Sequence, residues 1–540
     1  MCVVLCCCGA QAQQAETTIR SRAELVLVPT VIHDHAGAHI PNLKKEDFSI
    51  QENGVEQKIA VWEEVRTSNA VAQRVASRPN TFTNALAQST TPHRLTVVAL
   101  DFINTPILDQ GRARDEMLKF LESWASEGEP LMLVVLTRSG VRVIQDYTTD
   151  PKVLAVALYN ARIRHEQVPG AASLEQQRSE TESDPTMKAL LQAAEEADKT
   201  FDAWQQVVAI RQTLEAMQQI ARALAGVPGR KSLIWASAGF PFSVTDTFMS
   251  LDPNIVGRSS IFDVEELYHR TWQVLNDAQI SVYPVDVGGL TNTLGMPASM
   301  SAPTGGRNPA AFHQQAIWNQ NDRFSTFQVV AQATGGRAFF NTNDLAGAFR
   351  KAAEDSSSYY MLGYYRSARD TKPGWRRLKV TVRHPGAEVR ARNGFFVEKA
   401  NVTEKESKRE ISMAMTSPLD ATSLVFQVRW MPVKGGGKKK QVPYELNIPF
   451  GMLTVDEADD NHVLFDLEVL AKTTAGVAAQ TGGQTMDAHL KPESLAKLRE
   501  GGLHYEQSID LPPGEYTVRF LVRDGLSGRM GTVTAPIKVE

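Results

Sequence analysis

Cysteine is confined to the start of this chain: of 540 residues only Cys2, Cys6, Cys7 and Cys8 carry a thiol, and none follows Gly9. Beyond that point a disulfide framework, thiolate catalysis and cysteine-ligated metal are excluded. No run after the start approaches the ~20 apolar residues a membrane helix needs. Nor is there a basic excess, since 57 Lys and Arg stand against 61 Asp and Glu. A nucleic-acid partner would call for a positive stripe, so that class is set aside. Carbohydrate binding by the C-terminal region stays open, though its sequence offers no identifiable aromatic platform.

What is present begins with MCVVLCCCGAQAQQ, an apolar stretch running into the small-x-small triplet Ala10-Gln11-Ala12. It reads as the remnant of a secretory signal over residues 1–14, predicting an exported protein. Leu5-Cys6-Cys7-Cys8 makes a poor lipobox, so a lipid on Cys8 is the weaker alternative.

Residues 15–66 alternate as strands, with Asn53-Gly54 as a hairpin turn. About 40 residues cannot hold a core alone. The segment is therefore expected to pair with the period-two stretch at 359–398, forming a small β-sandwich. His33, His35 and His39 fall on a turn around Gly37, and solvated turn residues explain them better than a metal cluster. Residues 67–92, rich in Ser, Thr, Asn and Ala, read as a linker.

From 93 to 358 buried runs alternate with helical patterns: Leu95 to Leu100, Leu131 to Thr137, Lys231 to Trp235 and Ile280 to Asp286 as strands, with helices between them. Val141 to Asp146 returns as a hairpin, and Asp150-Pro151 opens a helix as N-cap and first-turn proline. Apolar spacing from Pro185 to Leu224 predicts one helix of some 40 residues, ~60 Å long. Thr291 to Pro309 reads as a mobile loop. The fold class expected is α/β with a mainly parallel, Rossmann-like sheet. Residues 399–422 read as a charged linker, and 423–540 as an immunoglobulin-like β-sandwich.

The segments DFSIQENGVEQKI (Asp47 to Ile59), VVALDFINT (Val97 to Thr105), PGRKSLIWASAGFP (Pro228 to Pro241), ATGGRAFF (Ala333 to Phe340), YYMLGYY (Tyr359 to Tyr365) and RARNGFF (Arg390 to Phe396) together resemble the von Willebrand factor type A-related family described from acidobacteria. That resemblance implies a type A domain inserted in the small sandwich, acting in adhesion or protein assembly through a metal-ion-dependent adhesion site. Asp101 and Thr105 match that site's aspartate and second serine, with Thr213 for its threonine and Mg²⁺ as the implied cation. The match is degenerate: Ile103 stands where a serine is needed, Thr213 lies inside a helical pattern, and Ser237-Ala238-Gly239 replaces the second carboxylate. Without a cation, Asp101 and Asn104 would cap the next helix or bind loop amides. Either way, contacts with a protein partner are expected around Asp101, Asn104, Thr105, Ser237 and Asp286.

An enzymatic alternative is a serine hydrolase with Ser237 as nucleophile and His269 or His313 as base. Trp235-Ala236-Ser237-Ala238-Gly239 lacks the first glycine of the nucleophile elbow, and Phe240-Pro241 stands where the helix should begin, so a non-enzymatic reading is preferred. GVPGRKS (Gly226 to Ser232) imitates a phosphate loop but runs into a strand, not a helix N-terminus. Lys438 to Lys440 reads as a solvated hairpin tip.

Overall fold

The computed structural model describes residues 24–66, 79–85, 95–124, 130–161, 185–239, 258–289, 324–355, 357–366, 372–397, 403–435 and 437–540. The signal remnant, the Thr291 to Pro309 loop and His313 lie outside them.

Seven consecutive buried residues make each of the strands Leu95–Asp101, Lys231–Ser237 and Ile280–Asp286. Such strands need cover on both faces. They pair in parallel with one another and with Leu131–Thr137, and Gly140–Thr148 closes the edge antiparallel, so the sheet has five strands. Val97 and Ala99 point to one side, into the helices Pro185–Leu224 and Arg258–Asp277. Val98 and Leu100 point to the other, against Ile107–Ser123, Pro151–Asn160 and Leu345–Glu354. Asp150 caps its helix by accepting from the Lys152 amide.

This layer is the exception. Among the described residues the remaining four sheets have four strands each and are antiparallel throughout. The expected class, α/β with a mainly parallel sheet, is therefore corrected: the protein is predominantly antiparallel β. Buried parallel strands print long apolar runs in a sequence, whereas half-exposed antiparallel strands print weak alternation. The runs dominated the reading out of proportion to their share of the chain.

Two of the antiparallel sheets interleave strands from both flanks of the five-stranded layer. Glu24–His33 lies between Ser358–Arg366 and Glu388–Arg390, while Phe48–Glu52 pairs with Gly374–Val382. Tyr360, Tyr364, Ile50 and Phe48 share their core.

The other two sheets enclose the C-terminal core. One of them borrows from far upstream: Thr81–Thr83 adds to Gln427–Trp430 as an edge strand. Asn84 then bonds the carbonyls of Ala421 (2.7 Å) and Leu424 (2.9 Å) and accepts from the Phe426 amide. The 67–92 linker is thus corrected, because part of it is a structural strand of the C-terminal domain.

The charged linker at 399–422 is corrected as well. Glu404–Thr416 is a helix with a full capping box between Thr403 and Glu406. Its Glu410 is 5% exposed and is ringed by Arg222 (2.9 Å), Arg270 (2.8 Å) and Arg523 (3.8 Å). Burial alone would raise this carboxyl, but the three guanidinium groups overrule it and hold it below the ordinary carboxylate range. Glu410 thereby ties the helical layer to the C-terminal sheet.

Candidate functional site

The Leu95–Asp101 strand delivers a carboxylate to the end of an apolar run, where water does not reach it: Asp101 is 0% exposed. A buried charge persists only with donors. Five converge on it. Oδ1 accepts from the amides of Ile103 (3.0 Å) and Asn104 (3.1 Å). Oδ2 accepts from Asn104 Nδ2 (2.7 Å), Ser237 Oγ (2.9 Å) and Trp235 Nε1 (3.0 Å). Burial pushes the carboxyl above its ordinary range, and the bonds from Asn104, Ser237 and Trp235 pull the other way.

The neighbouring hydroxyls are engaged too. Thr213 donates to the Ala209 carbonyl one helical turn back (2.9 Å) and accepts from Asn104 Nδ2 (2.8 Å). Thr105 Oγ1 accepts from the Ala238 amide (3.1 Å), and Ser237 Oγ lies 2.6 Å from the Gly239 carbonyl. Asp286, opposite Ser237 in register, accepts from the Gly288 amide (3.0 Å). Arg112 reaches across to the Gly288 carbonyl (3.2 Å) and Asn343 Oδ1 (2.7 Å). Gly289 is required there: its φ is +74°, and a Cβ would meet the Arg112 guanidinium at 2.1 Å.

Asp101, Thr105 and Thr213 do not fit Mg²⁺. A hard cation needs carboxylate and hydroxyl lone pairs left open and several waters. Here five donors crowd a carboxylate with about four acceptor sites. The amide of Asn104 sits between Asp101 and Thr213, giving one N–H to each, where a cation joining them would have to stand. The expected partner contacts divide on exposure. Asp101, Thr105, Ser237 and Asp286 are buried and Asn104 half-buried, so the buried four position the loops, and only neighbours such as Ile107, 42% exposed, face solvent.

The other sequence candidates lead elsewhere. His269 stacks on Phe396 (4.1 Å) and faces Glu265 (3.7 Å), so it is no partner of Ser237. His33 contacts Arg390, His35 faces Glu388 and His39 meets Glu64, three separate partners and no shared centre.

The phosphate-loop imitation turns out to be a junction at the sheet's other end. Arg230, 1% exposed, donates to Ser281 Oγ (2.9 Å), Tyr283 OH (2.9 Å) and the carbonyls of Asp355 (3.0 Å) and Gly335 (2.7 Å), and its amide donates to Tyr359 OH (3.1 Å). Beside it, burial drives Lys231 down to about 7; its ammonium meets the Val227 carbonyl at 2.5 Å. Sequence reasoning missed Trp235, Arg230 and Glu410 as network members. Only for Glu410 was a signal present, the Thr403-x-x-Glu406 box that starts its helix.

No helix among the described residues is long and apolar enough to cross a membrane. No protein-family model and no curated protein matches the chain. Among solved structures, a Bacteroides fragilis protein described as a beta-galactosidase aligns at 12% identity with a TM-score of 0.16, over 34% of this chain and 24% of its own. A likeness that slight carries no argument about fold or activity.

Proposed function

We propose that the chain is an exported, non-enzymatic binding or scaffold protein that offers the loops at the carboxyl end of its five-stranded sheet to a protein partner, without a bridging cation. The observation behind this reading is the Asp101 network. It holds the amides of Ile103 and Asn104 from beneath, while Pro106 and Ile107 just beyond them stay exposed. A preorganised loop loses little conformational freedom on binding, which favours recognition. Ser237 belongs to that network and shares its single hydrogen between Asp101 and the Gly239 carbonyl, with no imidazole among its partners in the described residues. Export rests on the N-terminal pattern.

The test is capture of a partner from the source organism's extracellular and envelope fractions by immobilised chain. Capture should persist in chelator and should be lost in Ile107→Glu, which alters an exposed side chain and leaves folding intact. Fluorophosphonate labelling that disappears in Ser237→Ala would replace this reading with the hydrolase.

A further inference from the structure

In the C-terminal domain, well away from the sheet end, the strands His462–Thr473 and Ala478–His489 form an antiparallel pair in which His462 faces His489 directly. Their rings lie 4.8 Å apart and nearly parallel, at 15°. Asp459 hangs over the pair from the preceding loop, with a carboxylate oxygen 3.4 Å from His462 Nδ1 and another 3.7 Å from His489 Nε2. That loop is closed by reciprocal bonds between the backbones of Asp456 and His462 and turned by left-handed Asp460 and Asn461. Asp459, His462 and His489 each present one ligand atom, all within 4.8 Å of one another.

A fourth residue sets the chemistry. Asp487 Oδ1 lies 2.7 Å from His462 Nε2, and a carboxylate can only accept, so Nε2 carries the hydrogen. In neutral His462 the Nδ1 lone pair is then aimed at Asp459. Two acceptors facing each other repel unless a proton or a metal ion stands between them, and a metal there would also be within reach of His489 Nε2, 3.7 Å from Asp459. A carboxylate holding the far nitrogen of a metal-binding histidine is the usual outer support of such sites.

We propose that Asp459, His462 and His489 form a divalent transition-metal site, with Zn²⁺ the best-fitting cation and Asp487 as its positioning residue. Two imidazoles and one carboxylate suit Zn²⁺ over the all-oxygen cations Mg²⁺ and Ca²⁺. Zn–N and Zn–O bonds of about 2.0–2.2 Å imply ligand spacings of roughly 3.4 Å, so the side chains must close in slightly. With Asp459 64% and His489 50% exposed, they are free to do so. Three protein ligands leave a fourth position for water or a partner's side chain. His462 also lines an open cleft of about 1200 Å³ against the Glu404–Thr416 helix.

The experiment is titration of Zn²⁺ and Co²⁺ into tag-free chain from residue 15 onward, which lacks the thiols of Cys2, Cys6, Cys7 and Cys8, by calorimetry and by visible absorption of the cobalt form. One equivalent should bind, giving an intense tetrahedral cobalt band and a raised Tm. His489→Ala should abolish the band, Asp487→Asn should weaken binding about 10–100-fold, and Asp101→Asn should leave it unchanged. All three variants are to be checked for folding by circular dichroism. No stoichiometric binding, or a band that survives in both folded His462→Ala and folded His489→Ala, would overturn the proposal.

Discussion

The two ends of the five-stranded sheet are held by buried charges of opposite sign that do different work. At the carboxyl end the carboxyl of Asp101 gathers neutral donors from the following loop and from the neighbouring strand of its own layer. At the amino end the Arg230 guanidinium gathers neutral acceptors of the same layer, while its backbone amide donates to Tyr359, in the strand Ser358–Arg366 of the neighbouring sandwich. One end is fastened to the rest of the molecule. The other is finished internally and turned outward, which is why the binding surface is placed there.

Breaking the fastened end should cost most. Arg230→Met leaves the Ser281 and Tyr283 hydroxyls and the carbonyls of Gly335 and Asp355 without this donor, and each buried polar group left unsatisfied costs about 1–3 kcal/mol. Urea unfolding followed by tryptophan fluorescence measures this. A loss no larger than that of Asp101→Asn would erase the difference between the two ends.

Lys231 sharpens the comparison, because it lies beside Arg230 yet has one carbonyl where Arg230 has several acceptors. Its folded value of about 7 lies below the unfolded one of 10.5, so between those two the unfolded chain binds more protons and stability rises with pH. Lys231→Met should remove that slope and stabilise the protein by about 1–4 kcal/mol, as replacing a buried charge by a packed apolar side chain often does. The gain should be largest at pH 7 and below, and smallest near pH 10. Denaturation midpoints across that range decide it.

The smallest effect is expected at the outward end. Asp101→Asn turns an acceptor into an amide whose NH₂ faces donors from Asn104, Trp235 and Ser237, and should cost about 1–3 kcal/mol. The fold should survive.

Much of this architecture is written in local sequence, though not evenly. Leu95–Asp101 and Ile280–Asp286 announce themselves because burial on both faces leaves no room for polar residues. Ala478–His489 was invisible for the opposite reason: as a mostly exposed edge strand of Gly, Thr and Gln it carries no apolar alternation. Thr81–Thr83 is three residues long and acquires meaning only beside Gln427–Trp430. At the site, Asp101 was legible as the residue ending a buried run. That Trp235 would donate to it was not, since the contact spans 134 residues and depends on strand register. The chain-wide class failed by weighting: the loudest segments were the fewest.

The central claim is that Asn104 and its neighbours have taken over the place of a cation at Asp101. Calorimetric titration of Mg²⁺ into His489→Ala, in which the C-terminal histidine pair is broken, tests it most directly. The account predicts no saturable heat, and the same flat trace after adding Asp101→Asn. Stoichiometric Mg²⁺ binding that vanishes in Asp101→Asn would contradict it and restore a metal-dependent site to the sheet end.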